Sequence, residues 1–220
     1  MRLIFIRHGD PNYALDCLTE LGVRQAEAVS FRLENEQIDK IYSSTMGRAV
    51  ETATATADRL GLPILERLSF MDERWAPTHT FSFAHPHPWA EADALAEEGL
   101  SLFELDPQKT EWFGDAARLA YDQEMRGAFD NWLATLGYKR EGQYYRCVKE
   151  NNDVIALFSH AGSSSRVMAH LMNLPFVYFC HMFRLAHTSI CIFDFGGSSD
   201  TLVTPKARLM NDSKHITAIQ

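Results

Sequence analysis

Three features of the sequence predict an α/β fold with a mostly parallel central sheet. Two continuous apolar runs, Leu3-Ile4-Phe5-Ile6 and Val154-Ile155-Ala156-Leu157-Phe158, have the length and β-branched content of strands buried on both faces. Each leads into a histidine, His8 or His160, followed by small residues. Strand-like and helix-like segments alternate along much of the chain, as βαβ units require. The 220 residues fit one domain with room for an inserted cap, and they suffice to bury a substantial core.

The opening strand delivers Arg7, His8 and Gly9 to the edge of the sheet where open α/β folds bind ligands. Arg7 offers a planar fork of donors to a phosphate or carboxylate, and a neutral His8 has a ring nitrogen able to attack an electrophile. Gly9 lets the backbone turn and leaves room for a ligand. Asp10-Pro11-Asn12-Tyr13 reads as a turn. Thr19 is a candidate N-cap for a helix whose packing face is Gly22, Ala26, Val29 and Leu33 and which ends near Asn35. Lys40 to Ser43 is a second strand. Ser44 or Thr45 is expected to cap the next helix, which stops at Gly61 and Pro63. Arg48 falls in the first turn of that helix, beside free backbone N–H groups. A solvent-facing arginine is the ordinary alternative, but its place beyond a second strand end makes it a candidate anion ligand.

Ile64-Leu65 begins a short strand, and Phe70-Met71-Asp72-Glu73-Arg74-Trp75 mixes acid, base and aromatic. Between Trp75 and Trp89 lie three prolines and three histidines, His79, His85 and His87, a composition that argues against regular structure. No helical His-x-x-x-His and no cysteine accompany these histidines, so a substrate-lining or structural loop is favoured over a metal site. Helical patterns follow at about 89–98 and 113–136, and residues 76–145 together read as an insertion covering the strand ends. After the second histidine-tipped strand, a helix runs from about Ser163 to Met172, with His170 structural within it. Ser189 to Phe195 is a late strand and Thr201-Leu202-Val203 its expected returning partner. The tail from Leu209 to His215 is polar, and its spacing identifies no chemistry.

A formal charge of −8, with 46% hydrophobic and 23% charged residues, argues against a generic nucleic-acid or anionic-membrane surface. An anionic substrate then needs a local cluster of arginine and histidine. Cys17, Cys147, Cys180 and Cys191 lack the spacing of a zinc or redox motif and read as reduced, mostly buried thiols. The first apolar run is too short for a signal peptide and no segment approaches membrane-spanning length, so a soluble cytoplasmic protein is expected. Nothing in the sequence indicates an oligomeric state.

Four motifs, in order, resemble the histidine phosphatase superfamily, the phosphoglycerate-mutase-like proteins. They are Arg7-His8-Gly9 after the first strand, Leu18 to Ala26, Ser43-Ser44-Thr45-Met46-Gly47-Arg48 with the residues to Ala53, and Ser159-His160 after a late strand. The resemblance implies a three-layer α/β/α fold and a catalytic His8 that becomes phosphorylated. It also implies that Arg7, Arg48 and His160 complete a phosphate pocket, with Glu73 as proton donor and Asp72 as the fallback. Thr45 stands where the family often has proline, and Ala161 where it usually has glycine. Ala14 occupies the expected asparagine site, leaving Asn12 as a candidate replacement phosphate contact.

The reading that follows is a phosphomonoesterase needing no metal or other cofactor, acting on a small phosphorylated metabolite through a phosphohistidine. A phosphoglycerate-type mutase would be expected to carry Glu-Arg-His-Tyr-Gly near the acid, whereas Glu73-Arg74 here precedes Trp75-Ala76-Pro77. A catalytically silent phospho-ligand binding module is the remaining alternative, disfavoured because all four pocket positions and an acid are retained.

Overall fold

In strand β1 (Arg2–Arg7), Leu3 and Phe5 face one apolar cluster while Ile4 and Ile6 face another, the period-two consequence of an extended backbone. The computed structural model describes residues 1–74 and 87–219, and places β1 inside a six-stranded sheet. A hairpin of β2 (Pro11–Asn12) and β3 (Cys17–Leu18) leads to α1 (Glu20–Leu33), β4 (Lys40–Ser43), α2 (Gly47–Leu60) and β5 (Ile64–Arg67). Helices α3 (Pro88–Glu97) and α4 (Ala116–Thr135) precede the hairpin β6 (Tyr138–Glu141) and β7 (Tyr144–Cys147). The chain continues through β8 (Val154–Ser159), α5 (Ala161–Met172), α6 (Phe176–Met182), β9 (Ile190–Asp194), β10 (Leu202–Val203) and β11 (Lys206–Asp212).

The sheet order is β11-β9-β1-β8-β4-β5. β1, β8, β4 and β5 run parallel, and β9 runs antiparallel to both its neighbours. One face is covered by α1 and α2, whose Val29, Leu33, Ala53 and Ala57 pack with Ile4, Ile6, Ala156 and Phe158. The other is covered by α4 and α5, whose Phe129, Trp132, Val167 and Met168 join Leu3, Phe5 and Leu157. The expected three-layer α/β/α arrangement is therefore present. Thr19 caps α1 as expected, its hydroxyl accepting the Gly22 N–H at 3.1 Å. Three of the four cysteines are buried and all are free thiols. Among the described residues, no helix is long and apolar enough to cross a membrane.

Several local expectations are corrected. The residue capping α2 is Met46, not Ser44 or Thr45, and it makes no side-chain cap bond. The Ser44 hydroxyl instead accepts the Met46 N–H at 3.1 Å, and Asp16, from a different loop, takes the Gly47 N–H at 2.7 Å. Within the stretch 76–145, α4 packs in the layer on the sheet, its Phe129 ring 6.2 Å from that of Phe5. The strand at 202–203 pairs with β7 and not with β9, whose returning partner is β11. The tail from Leu209 to His215, polar in sequence, contributes its first residues to β11, an edge strand that is exposed or half-exposed along its length and so carries no apolar run.

Register brings the chemistry together. Arg7 lies opposite Ser159 across the β1–β8 pair, and Ser43 opposite Phe158 across β4–β8, so residues 8, 44 and 160 emerge side by side at one sheet edge.

Candidate active site

His8 is fully buried at the end of β1, its backbone N–H donating to the Ser159 carbonyl at 2.9 Å. Its Nδ1 lies 2.6 Å from the Gly9 carbonyl oxygen. A carbonyl can only accept, so Nδ1 carries the proton and Nε2 keeps its lone pair. The same assignment follows independently from Arg48, whose Nε, always a donor, bonds to His8 Nε2 at 3.3 Å. Burial, then the neighbouring His160, Arg7 and Arg48, pushes the His8 pKa well below its ordinary value, while the Gly9 bond opposes this. The result is a neutral imidazole with its reactive nitrogen turned into the site.

Arg7 anchors one end through Nη1, which donates to the Leu185 carbonyl at 2.6 Å, while its buried Nε has no hydrogen-bond partner among the described residues. Burial lowers its pKa; Glu73, Tyr13 and a hydrogen bond with Tyr13 oppose the shift. Arg48 is 1% exposed, ion-paired to Asp16 and 3.7 Å from Glu73 Oε2. Thr52, one turn further along α2, donates to the Arg48 carbonyl and accepts the Gly9 N–H, tying the helix to the loop after His8.

His160 begins α5, and its Nε2 lies 2.7 Å from the Ser44 hydroxyl. That hydroxyl donates to Asp72 Oδ1 at 2.8 Å, so it must accept from His160 Nε2–H. The other ring nitrogen, Nδ1, is buried with no hydrogen-bond partner among the described residues. Burial, Arg48 and Arg7 hold the His160 pKa well below its usual value. Asp72 is fully engaged: besides Ser44 it accepts Thr45 N–H at 2.8 Å, the Thr45 hydroxyl at 2.7 Å and Arg74 at 3.2 Å. Glu73 is 4% exposed, with Oε1 accepting the Gly162 N–H at the start of α5 and Oε2 facing Arg48.

A sequence model of the histidine phosphatase superfamily (branch 1) matches residues 3–77, the segment that carries Arg7, His8, Arg48 and Glu73. Solved structures extend the likeness over nearly the whole chain. Phosphoserine phosphatase from Entamoeba histolytica aligns at a TM-score of 0.64 with 22% identity, covering 98% of each chain. A mycobacterial glucosyl-3-phosphoglycerate phosphatase aligns at 0.64 with 24% identity, covering 96% of this chain and 98% of that one. The signature covers residues 3–77, and over the rest of the chain the likeness to these solved structures is one of fold. Among curated proteins, the probable phosphoglycerate mutase GpmB of Yersinia pestis is 46% identical over 48 residues, and that match spans 22% of this chain and 22% of the relative.

Within this fold, the site opens into a cavity of about 620 Å³ whose lining includes Arg7, Tyr13, Glu73, His87, Trp89 and Ala161. Asn12 is not brought to it: its carboxamide oxygen accepts the Ala14 and Leu15 N–H groups at 3.2 and 3.3 Å, closing the turn that presents Tyr13. His79 and His85 lie outside the described residues. His8, Glu73 and His160 place possible metal-ligand atoms within 4.8 Å of one another. Arg7 and Arg48 border the same space, and two guanidiniums raise the cost of a cation there while lowering that of a phosphate dianion.

Two neighbours of the site escaped sequence reasoning. Asp16 is a lone acid in a turn, with nothing local to tie it to Arg48. His187 has its ring 5.9 Å from that of His8, and burial, then Arg7, lowers its pKa to about 4 against the pull of Asp10. Looking for strand ends misses His187 because β9 is antiparallel, so its beginning, not its end, reaches this edge of the sheet.

Proposed function

We propose that the protein is a metal-independent phosphomonoesterase that hydrolyses a small phosphorylated metabolite through a phosphohistidine on His8. The observation that carries this reading is the locked tautomer of His8, with Nδ1–H bonded to the Gly9 carbonyl and the Nε2 lone pair facing Arg48 Nε. Arg7, Arg48 and His160 hold the phosphate and stabilise the charge of the transition state, the arriving dianion drawing a solvent proton onto His160 Nδ1. His8 Nε2 attacks phosphorus as the ester P–O bond breaks, and a protonated Glu73 gives its proton to the departing alkoxide. Water then attacks the phosphohistidine, losing a proton to Glu73 as the P–N bond breaks, which returns both groups to their starting states.

Ser44 and Asp72 serve as positioning residues for His160, since the Asp72 carboxylate is occupied by four donors and has no free edge toward the cavity. The solved phosphatases that share the fold support hydrolysis, one acting on phosphoserine and another on glucosyl-3-phosphoglycerate. The short match to a probable phosphoglycerate mutase favours a second reading, in which the phosphohistidine passes its phosphate to a sugar acid. One experiment separates them. Incubation with labelled phosphomonoesters should place an acid-labile, base-stable label on wild-type protein but not on His8→Ala, survive chelators, and release inorganic phosphate. Transfer of the label to phosphoglycerate would establish the mutase, and binding without labelling would establish a silent binding module.

A further inference from the structure

The phosphate end occupies only part of the cavity. Away from it the wall includes Trp89, Asp93, Arg184 and Leu185. Asp93 on α3 pairs with Arg184, which follows α6, and its second oxygen meets His181 Nδ1 at 2.9 Å. Arg184 also donates to the Trp89 carbonyl at 3.2 Å, and its own carbonyl is held by Asn211 Nδ2 at 2.7 Å, so the pair is anchored to the backbone of α3 and to a side chain of β11. Both side chains are a little under half exposed, at 42% and 46%. A guanidinium has five donors and a carboxylate about four acceptor positions, so each retains hydrogen-bonding capacity for a ligand.

The charges of this wall balance: beyond Arg7 and Glu73, the described lining residues offer one guanidinium and one carboxylate, in contact with each other. A purely anionic group entering here meets an arginine already neutralised by Asp93, and a purely cationic group meets the reverse. A group carrying both charges satisfies both partners, and the apolar surfaces of Trp89 and Leu185 suit the short carbon chain between them. We infer that the cavity selects phosphomonoesters of zwitterionic alcohols, the O-phospho-α-amino-acid class, with the carboxylate on Arg184 and the ammonium on Asp93. The inference builds on the phosphomonoesterase reading.

The test compares O-phospho-L-serine, glycerol 3-phosphate and 3-phosphoglycerate, which are similar in length but carry a zwitterionic, neutral or anionic distal group. Affinities are read calorimetrically on His8→Ala at pH 8, and kcat/KM on the wild type with an aryl phosphate as control. Phosphoserine should bind roughly tenfold more tightly than either competitor, the increment expected of hydrogen bonds to charged groups. Asp93→Asn should erase the preference over phosphoglycerate, and Arg184→Gln should weaken the two carboxylate ligands while sparing glycerol 3-phosphate. Equal affinities, or a ratio untouched by Asp93→Asn, would overturn the inference, and aryl phosphate turnover would leave the phosphomonoesterase reading standing. Preferential phosphoserine binding without turnover of any ester would do the opposite, retaining charge selection and removing the enzyme.

Discussion

His8 sits where burial and the neighbouring cationic groups all oppose a positive charge, so its imidazole stays neutral well below the pH at which a free histidine protonates. His160 and His187 are shifted in the same direction. The unfolded chain therefore binds more protons than the folded one between their folded pKa values and about 6.5. Stability falls as pH drops through that window and levels off below it. For His187, shifted from 6.5 to about 4, the loss between pH 7 and pH 5 is about 2 kcal/mol. Urea midpoints at the two pH values check this: His187→Gln should shrink the difference by that amount, and an unchanged difference would assign the acid sensitivity to other groups. Glu73 has a different signature, because an alkoxide needs a proton to leave and an activated phenolate barely does. Glu73→Gln should lower alkyl phosphate hydrolysis by roughly a hundred- to ten-thousand-fold and aryl phosphate hydrolysis by less. Equal, small losses on both substrates would remove Glu73 from the role of general acid.

At the scale of elements, the start of α2 and the turn carrying Asp16 touch so closely that a Cβ on Gly47 would stand 2.1 Å from the Asp16 backbone oxygen. Gly47→Ala must push that turn away and with it the carboxylate that holds Arg48. The expected result is a destabilisation of about 1–3 kcal/mol and a loss of kcat/KM on the order of a hundredfold, with the circular dichroism spectrum retained. Near-normal kcat/KM would mean that Arg48 holds its place without Asp16. β11 plays a comparable part from the opposite edge. Asn211 adopts a left-handed conformation at φ 55°, and its carboxamide accepts the Ala186 N–H and donates to the Arg184 carbonyl. Between those residues lies Leu185, whose carbonyl anchors Arg7. Asn211→Ala removes both bonds and leaves a strained backbone, so it should cost about 2 kcal/mol in urea unfolding. It should also raise KM more than it lowers kcat, and the reverse split would place the effect in the chemical step.

The whole molecule meets at this site, since the pocket joins the end of β1, the start of α2, the residues after β5 and the start of α5. A phosphate mimic that bridges them should stabilise the fold by mass action. Orthovanadate at a hundred times its dissociation constant is expected to add about 2.7 kcal/mol, raising the melting temperature by roughly 5–10 °C in a domain of this size. His160→Ala should lose most of that shift, and an equal shift in the variant would mean that the ion binds elsewhere.

The sequence alone determined the α/β layering, the two histidine-tipped strands, the cap of α1 and the places of Arg7 and Arg48, whereas Glu73 is singled out only by the family resemblance. These are local properties: a buried parallel strand is a continuous apolar run, and the residues that follow it sit at the site automatically. Tertiary structure decided the rest. It turned Asn12 into a turn-closing residue, put Asp72 on Ser44 and Thr45, and laid α4 on the sheet. It also brought Asp16 to Arg48, and His187 and Arg184 to the cavity region through elements whose direction no local pattern reveals. Asp93 and Arg184 are 91 residues apart and meet only because α3 packs on α6. Periodicity specifies which face of an element is buried, but contacts of this kind depend on which elements become neighbours, and that is set by the packing of the entire chain.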